Sequence, residues 1–377
     1  MKIVSVMTTD SPGGAEFAAV EMLQALRERG HDAVMLTDYS SMARDTEVPV
    51  RPVALGPKLA TGSWPMLALR WPSLRRRLHA ALRAEEPYDV LLVHYKKEQL
   101  LAGQLPEAQR RTLVWAEWGP VPFPMRRGLP RRAYLRAGER ADLVMAISAG
   151  TKRSVADVGV PEDKIVVVPN VMRADEIRYS DQGRARVRAE LGIPSDAFVV
   201  GCISRFHFKK RNDVVVRAVH GLDDPNVHLI LAGTGDTEPE LRELALPLGE
   251  RAHIIPTPGA EVPDVLSAFD VSVFCPSPTE GAPRAVILGM LASRPCLSTG
   301  AEGVADMIRP EFGGIASPEN EPAPLQELIA RYIGDPERVA REGAAARAYA
   351  EQTYAAPVVA KRIEELFDGA RHNGAHP

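Results

Sequence analysis

The sequence is poor in cysteine, in aromatic residues and in charge of one sign. Its 377 residues hold 3 cysteines, 6% aromatic residues and a formal net charge of -3. Three cysteines with no histidines at ligand spacing exclude a disulfide framework and a zinc site. Cys202, Cys275 and Cys296 each lie in an apolar, strand-like run, so buried reduced thiols are expected. Near-balanced charge gives no global basic footprint, and no nucleic-acid partner is expected. No apolar run reaches the ~18 residues of a membrane span. The chain enters a strand at Lys2–Thr8 without a leader segment, so a cytoplasmic protein with no transmembrane segment is expected. There is no Asp-x-Asp motif either, and no metal site is expected. The Arg-, Ala- and Pro-rich usage points to a GC-rich bacterial source.

What the sequence does have is an alternation. Lys2–Thr8 reads as a strand, Thr9–Gly14 as a tight loop, Ala15–Arg29 as a helix and Ala33–Thr37 as a strand. Strand, glycine turn, helix, strand is the unit of a parallel sheet. Further strands are predicted at Asp89–His94, Thr112–Ala116, Leu143–Ile147 and Lys164–Val168, and Pro169–Gln182 reads as a linker. The alternation restarts at Phe198–Ile203 and continues through His228–Ala232, His253–Ile255, Val271–Phe274 and Cys296–Ser298. The expected fold class is α/β, with two doubly wound, Rossmann-like parallel sheets facing across a cleft. The expected boundaries are 1–175, 176–356 and a terminal helical segment, 357–377.

Four strand ends carry candidate chemistry, because ligands of such sheets bind beyond the carboxyl ends of the strands. Gly13-Gly14 precedes a helix, whose start favours phosphate; the same pair is equally a plain turn. Arg205 and Lys210 follow the strand Phe198–Ile203 and could bracket a diphosphate, or form a solvated basic turn. Gly233-Thr234-Gly235 follows the strand His228–Ala232. Glu280 lies in a Pro-, Ser- and Gly-rich loop, with Pro283 at the start of an apolar helix. A carboxylate beside free helix N–H groups suits a sugar or an anion.

Together these stretches resemble the retaining glycosyltransferases of family 4, the group 1 enzymes of GT-B fold. The resemblance rests on Arg205 with Lys210, Ala232-Gly233-Thr234-Gly235, Pro276-Ser277-Pro278-Thr279-Glu280-Gly281 and the Met290-to-Pro295 turn. Gly13-Gly14, Ala141–Ser148 and Val167-Val168-Pro169-Asn170 agree with it, in order along nearly the whole chain. It implies an acceptor-binding N-terminal domain, a nucleotide-sugar-binding C-terminal domain and a last helix that crosses back. It implies Arg205, Lys210 and Glu280 as catalytic residues: the first two on the donor diphosphate, the third on the transferred sugar. Donor contacts would come from Gly13, Gly14, Gly233, Gly235, Thr279, Gly281, Ala282 and the position of Leu288. The nucleotide-sugar, UDP-type favoured, is a co-substrate, and no cofactor is expected.

The sequence also departs from the family pattern. The second acid of the family's Glu-x7-Glu motif falls on Leu288, which cannot accept hydrogen bonds from ribose. Pro283 has no N–H to offer. The family's N-terminal cleft histidine has no clear match; Glu117 and His94 are the acceptor-side candidates, each alternatively a satisfied polar group at a strand end. Two readings therefore stand beside a glycosyltransferase: a GT-B sugar-nucleotide epimerase or hydrolase, and a non-catalytic partner protein with a decayed donor site. Finally, Trp64–Trp71 with Arg75-Arg76-Arg77, and Met125–Arg132, mix aromatic and basic residues. They read as ordinary solvated helix faces or as a surface for an anionic or membrane-associated acceptor, which would make the protein peripheral to the inner membrane face.

Overall fold

A computed structural model describes residues 1–9, 13–38, 47–59, 62–106, 109, 111–256, 259–277, 280–300, 302–317 and 321–374. The chain forms two compact units, one of Met1–Met172 with Ala356–Pro377, the other of Arg173–Ala355.

The first unit runs β1 (Lys2–Val6), α1 (Gly14–Glu28), β2 (Asp32–Thr37), β3 (Val50–Pro52), α2 (Trp64–Ala84), β4 (Val90–Val93), α3 (Lys96–Ala102), β5 (Thr112–Glu117), α4 (Gly128–Gly138), β6 (Leu143–Ala146), α5 (Ala149–Val158) and β7 (Ile165–Val167). Its seven strands pair in parallel in the order β3-β2-β1-β4-β5-β6-β7. The order reverses between β1 and β4, so the loops after these two strands meet. Both faces of the sheet are covered, which is why its strands read as unbroken apolar runs rather than alternating ones.

The second unit runs α6 (Asp181–Glu190), β8 (Phe198–Ile203), α7 (Asn212–Gly221), β9 (Val227–Ala232), α8 (Glu238–Ala245), β10 (Ala252–Ile255), α9 (Val262–Ala268), β11 (Val271–Phe274), α10 (Arg284–Leu291), β12 (Cys296–Ser298), α11 (Glu302–Ala305), β13 (Gly313–Ile315), α12 (Pro322–Ala330) and α13 (Pro336–Tyr354). The six strands lie in the order β10-β9-β8-β11-β12-β13, again all parallel. Here the order reverses between β8 and β11. The last helix, α14 (Ala356–Gly374), returns to the first unit. Its Val359, Ala360, Ile363 and Phe367 are buried in one cluster with Ile3, Leu23 and Met35.

A helix that the sequence reading did not include begins at the end of the predicted linker, Pro169–Gln182, and runs on past it. Asp181–Glu190 is helical, capped by Ser180, whose Oγ accepts from the Gly183 N–H at 2.9 Å. Its sequence is almost entirely polar, and one of the residues it buries is Arg188. That guanidinium donates to Ala268 O and Asp270 Oδ2 and is thereby satisfied. Helix α3 also went unseen in the sequence, because Lys96-Lys97-Glu98-Gln99 looks solvated. In the fold Lys97, Glu98 and Gln99 are buried. The three cysteines are buried free thiols, and burial pushes the Cys202 and Cys275 thiols up to about 12.

Candidate active site

The second sheet brings two sequence-distant loops together. β8 and β11 are neighbours, so the loop after Ile203 lies against the loop after Phe274. The Ser277 N–H donates to Lys209 O at 2.7 Å and locks them. Lys210 Nζ then reaches both carboxylate oxygens of Glu280, at 2.8 and 2.9 Å, with both side chains about four-fifths buried. Lys210 also stands 5.3 Å from the Phe274 ring centre, a cation–π distance. Arg205 is exposed, two residues beyond the strand. The loop carrying these cations is short and held. Arg211, just after Lys210, sits at φ 48, a left-handed conformation uncommon for a residue with a Cβ. Its guanidinium is tied to Asp213 at 3.0 and 3.1 Å.

The glycines of Gly233-Thr234-Gly235 have a packing reason. A Cβ on Gly233 would stand 1.9 Å from Ser204 O, and one on Gly235 2.1 Å from Phe206 O. The Phe206 N–H donates to Thr234 O at 2.8 Å. This turn therefore buttresses the loop that carries Arg205 and Lys210, and any side chain there would displace it. Gly281 is buried and Ala282 half-buried beside Glu280. Thr279 lies outside the described residues. Pro283 caps α10 rather than opening it, with the helix beginning at Arg284. Leu288 is half-buried and packs on the apolar cluster of Ile203, Ala232, Leu266 and Phe269.

In the first sheet the loops after β1 and β4 meet in the same way. Gly13 caps α1; its N–H donates to Glu16 Oε2 at 2.8 Å, and Gly14 is exposed in the first turn. Glu16 is buried and takes Lys58 Nζ at 2.7 Å and the Tyr95 hydroxyl. Burial pushes its carboxyl up, but the bonds from Lys58 and Tyr95 outweigh this and leave it below the usual range. Sequence reasoning missed Glu16, although a glutamate three residues after an N-cap is a legible signal: it reaches back to the Gly13 N–H, half of a capping box that glycine, lacking a side chain, does not complete.

The two acceptor-side candidates are internally satisfied. Glu117 is buried; Oε1 accepts from Gln99 Nε2 at 3.0 Å and Tyr134 OH at 2.8 Å, and Oε2 from Lys96 Nζ. His94 is buried with both ring nitrogens used. Trp118 Nε1 can only donate, and does so to Nδ1 at 3.2 Å. Nε2 must then carry the proton and point it at Ser5 Oγ, 2.7 Å away. Burial holds the His94 pKa down to about 3, with Glu16 opposing, so the ring is neutral. Both side chains hold the end of the first sheet together, and neither presents a free nitrogen or oxygen to a substrate. Among the described residues no group of three His, Cys, Asp or Glu side chains is arranged to hold a metal ion.

Residues 12–176 match the model Glycosyltransferase Family 4, and residues 183–349 match Glycosyl transferases group 1. The chain belongs to the group 1 glycosyltransferases. Arg205, Lys210, Glu280 and Leu288 fall in the group 1 match, and Gly13, Gly14, His94 and Glu117 in the family 4 match. A GDP-mannose-dependent alpha-(1-6)-phosphatidylinositol monomannoside mannosyltransferase of Mycolicibacterium smegmatis is 27% identical over 253 residues, 64% of this chain and 66% of that protein. A D-inositol 3-phosphate glycosyltransferase of Streptomyces scabiei is 30% identical over 267 residues, 67% of this chain and 59% of its own length. These matches thus span less than two thirds of either relative. Among solved structures, Anabaena HepE in complex with UDP superposes with a TM-score of 0.84 at 21% identity, covering 98% of this chain and 100% of that one. Sucrose-phosphate synthase of Thermosynechococcus elongatus gives 0.79 at 16%, covering 99% and 100%. At such identities the likeness is one of fold, and the fold is GT-B.

Proposed function

We propose that this group 1 glycosyltransferase moves a sugar from a nucleotide-sugar to an acceptor with retention of configuration. The observation that carries the reading is the Lys210–Glu280 contact at the strand-order reversal of the second sheet. A cation and a carboxylate in one contact match the two halves of a nucleotide-sugar. The diphosphate, a more highly charged anion than a carboxylate, takes Lys210, with exposed Arg205 as a fork beside it. Glu280, released from Lys210, accepts hydrogen bonds from sugar hydroxyls. As the sugar–phosphate bond breaks, negative charge grows on the leaving diphosphate. Lys210 and Arg205 stabilise it there, which is often the largest catalytic contribution. These cations do the work a divalent ion would otherwise do, so turnover without added metal is part of the proposal.

For retention the acceptor hydroxyl enters on the face the diphosphate leaves. Its oxygen bonds to the anomeric carbon, and its proton passes to a departing phosphate oxygen. No protein nucleophile is involved. Backbone at Gly13, Gly14, Gly281 and Ala282 is where a phosphate or sugar can come close. The donor is UDP-type in this reading, supported by HepE structures that hold UDP and UDP-glucose. The mycobacterial relative is named for GDP-mannose, so both bases belong in the test. The first unit takes the acceptor, which we propose is anionic or membrane-associated, and the protein works in the cytoplasm. The direct test incubates the protein with UDP- and GDP-sugars and follows diphosphate release and product anomer by NMR. Release of diphosphate with a new glycoside of unchanged anomeric configuration supports the reading. Inverted product removes retention, and sugar release without a glycoside favours a hydrolase. A second reading, a donor-binding protein without turnover, draws on Leu288 and would show diphosphate binding with no release.

A further inference from the structure

The two basic and aromatic segments of the first unit, far apart in sequence, converge on one groove. On α2, Trp64, Ala68, Trp71 and Arg75 recur at helical spacing and line one wall. On α4, Leu129, Arg132 and Arg136 do the same opposite. The end of α3 forms the floor. Trp71 Nε1 donates to Gln104 Oε1 at 3.1 Å, and Arg140 Nη1 to Gly103 O at 2.7 Å, which fixes both walls to it. The groove measures about 810 Å³.

Its chemistry is unusual for a solvated surface. Trp64 is 48% exposed and Leu129 76%. Beyond the groove, Leu69 on α2 and Phe123 ahead of α4 stand 85% and 68% exposed. Around these apolar side chains Arg75, Arg132 and Arg136 are exposed, and among the described residues none has an acidic partner. Other arginines of the chain do hold acidic partners, as Arg186 does with Glu190 and Asp264 and Arg338 with Glu342. Unpaired guanidiniums around exposed tryptophan and leucine complement a layer that is anionic outside and apolar just beneath.

We propose that this groove docks the protein on an anionic phospholipid bilayer. Arg75, Arg132 and Arg136 meet lipid phosphates, while Trp64 and Leu129 enter the headgroup layer. The exposed Leu69 and Phe123 favour a bilayer over one enclosed ligand, because they extend the apolar contact past the groove's edge.

The test is flotation of the full chain with vesicles of phosphatidylcholine alone and of phosphatidylcholine mixed with phosphatidylglycerol. The protein is expected to float only with the anionic vesicles, and less as salt rises. Arg132→Glu with Arg136→Glu should weaken this at least ~10-fold, given about 1 kcal/mol per basic residue at such a surface. Arg75→Glu should weaken it alone, and Arg362→Glu, on α14, should leave it intact. No binding to anionic vesicles overturns the proposal, as does equal binding to both vesicle types. So does equal loss in Arg362→Glu and the groove variants. Binding of monomeric short-chain phosphatidylglycerol without vesicle binding overturns it in favour of a soluble amphiphile.

Discussion

Replacing Glu280 by Gln should tighten diphosphate binding and slow turnover at the same time. Lys210 pairs its charge with Glu280, at 2.8 and 2.9 Å. At an effective dielectric of ~20 the Coulomb attraction at that distance is about 6 kcal/mol. Desolvation and side-chain ordering offset most of it, so a partly exposed pair nets about 1 kcal/mol. A diphosphate must displace this carboxylate before it gains Lys210. Glutamine has nearly the same shape and no charge, so roughly 1 kcal/mol is returned to binding, about fivefold in Kd for UDP or GDP. Turnover moves the other way. A charge-assisted bond to a sugar hydroxyl becomes a neutral one, at about 1–3 kcal/mol, or roughly 5–150-fold in kcat. Glu280 as a sugar contact alone would leave diphosphate affinity unchanged, so the gain in affinity is specific to the exchange of partners. Calorimetric titration with the diphosphate and steady-state rates at saturating donor read the two effects. Weaker or unchanged affinity in a folded Glu280→Gln variant refutes the exchange, and an unchanged kcat removes Glu280 from the sugar.

Turnover should survive EDTA treatment, since Arg205 and Lys210 meet the leaving-group charge; activity lost to EDTA and restored only by Mg²⁺ or Mn²⁺ would sink that assignment. Leu288→Glu should lower the thermal midpoint without tightening diphosphate binding, because Leu288 packs on an apolar cluster and an acid there loses that contact. A gain in affinity at unchanged midpoint would mean that ribose reaches the position. Stability should fall as pH drops from about 6.5 towards 4. His94 and His253, held down to about 3 and about 4 by burial, bind protons in the unfolded chain before the folded one. Their contribution is whole above the ordinary histidine pKa and lost below it. Chemical denaturation across that window checks it, and His253→Gln should flatten the slope.

The strand–helix alternation was legible because strands covered on both faces read as plain apolar runs, as in Val90–Val93 and Phe198–Ile203. Helix α3 was not, because its charges are satisfied by residues far away in sequence: Lys97 by Pro57 O at 2.9 Å, Glu98 by Thr8. β3 and β13 are three-residue edge strands containing proline or glycine, which periodicity cannot register. Arg205, Lys210 and Glu280 could be named from their loops and from the family pattern. That Lys210 and Glu280 touch could not, since it depends on β8 lying beside β11. His94 and Glu117 show the reverse case. Sequence left open whether these polar residues at strand ends are free or satisfied, and only the structure reveals Trp118, Ser5, Lys96 and Tyr134 around them.

The proposed function stands or falls with the second unit holding a nucleoside diphosphate through Lys210. Calorimetric titration of the wild-type protein and Lys210→Ala with UDP, and in parallel with GDP, tests it most directly. The wild type should bind one of the two, and Lys210→Ala, with its fold intact, should bind it at least ~10-fold more weakly, as expected for losing a cation from an anion site. Equal affinity in the two proteins, or no binding of either diphosphate by the wild type, would contradict it.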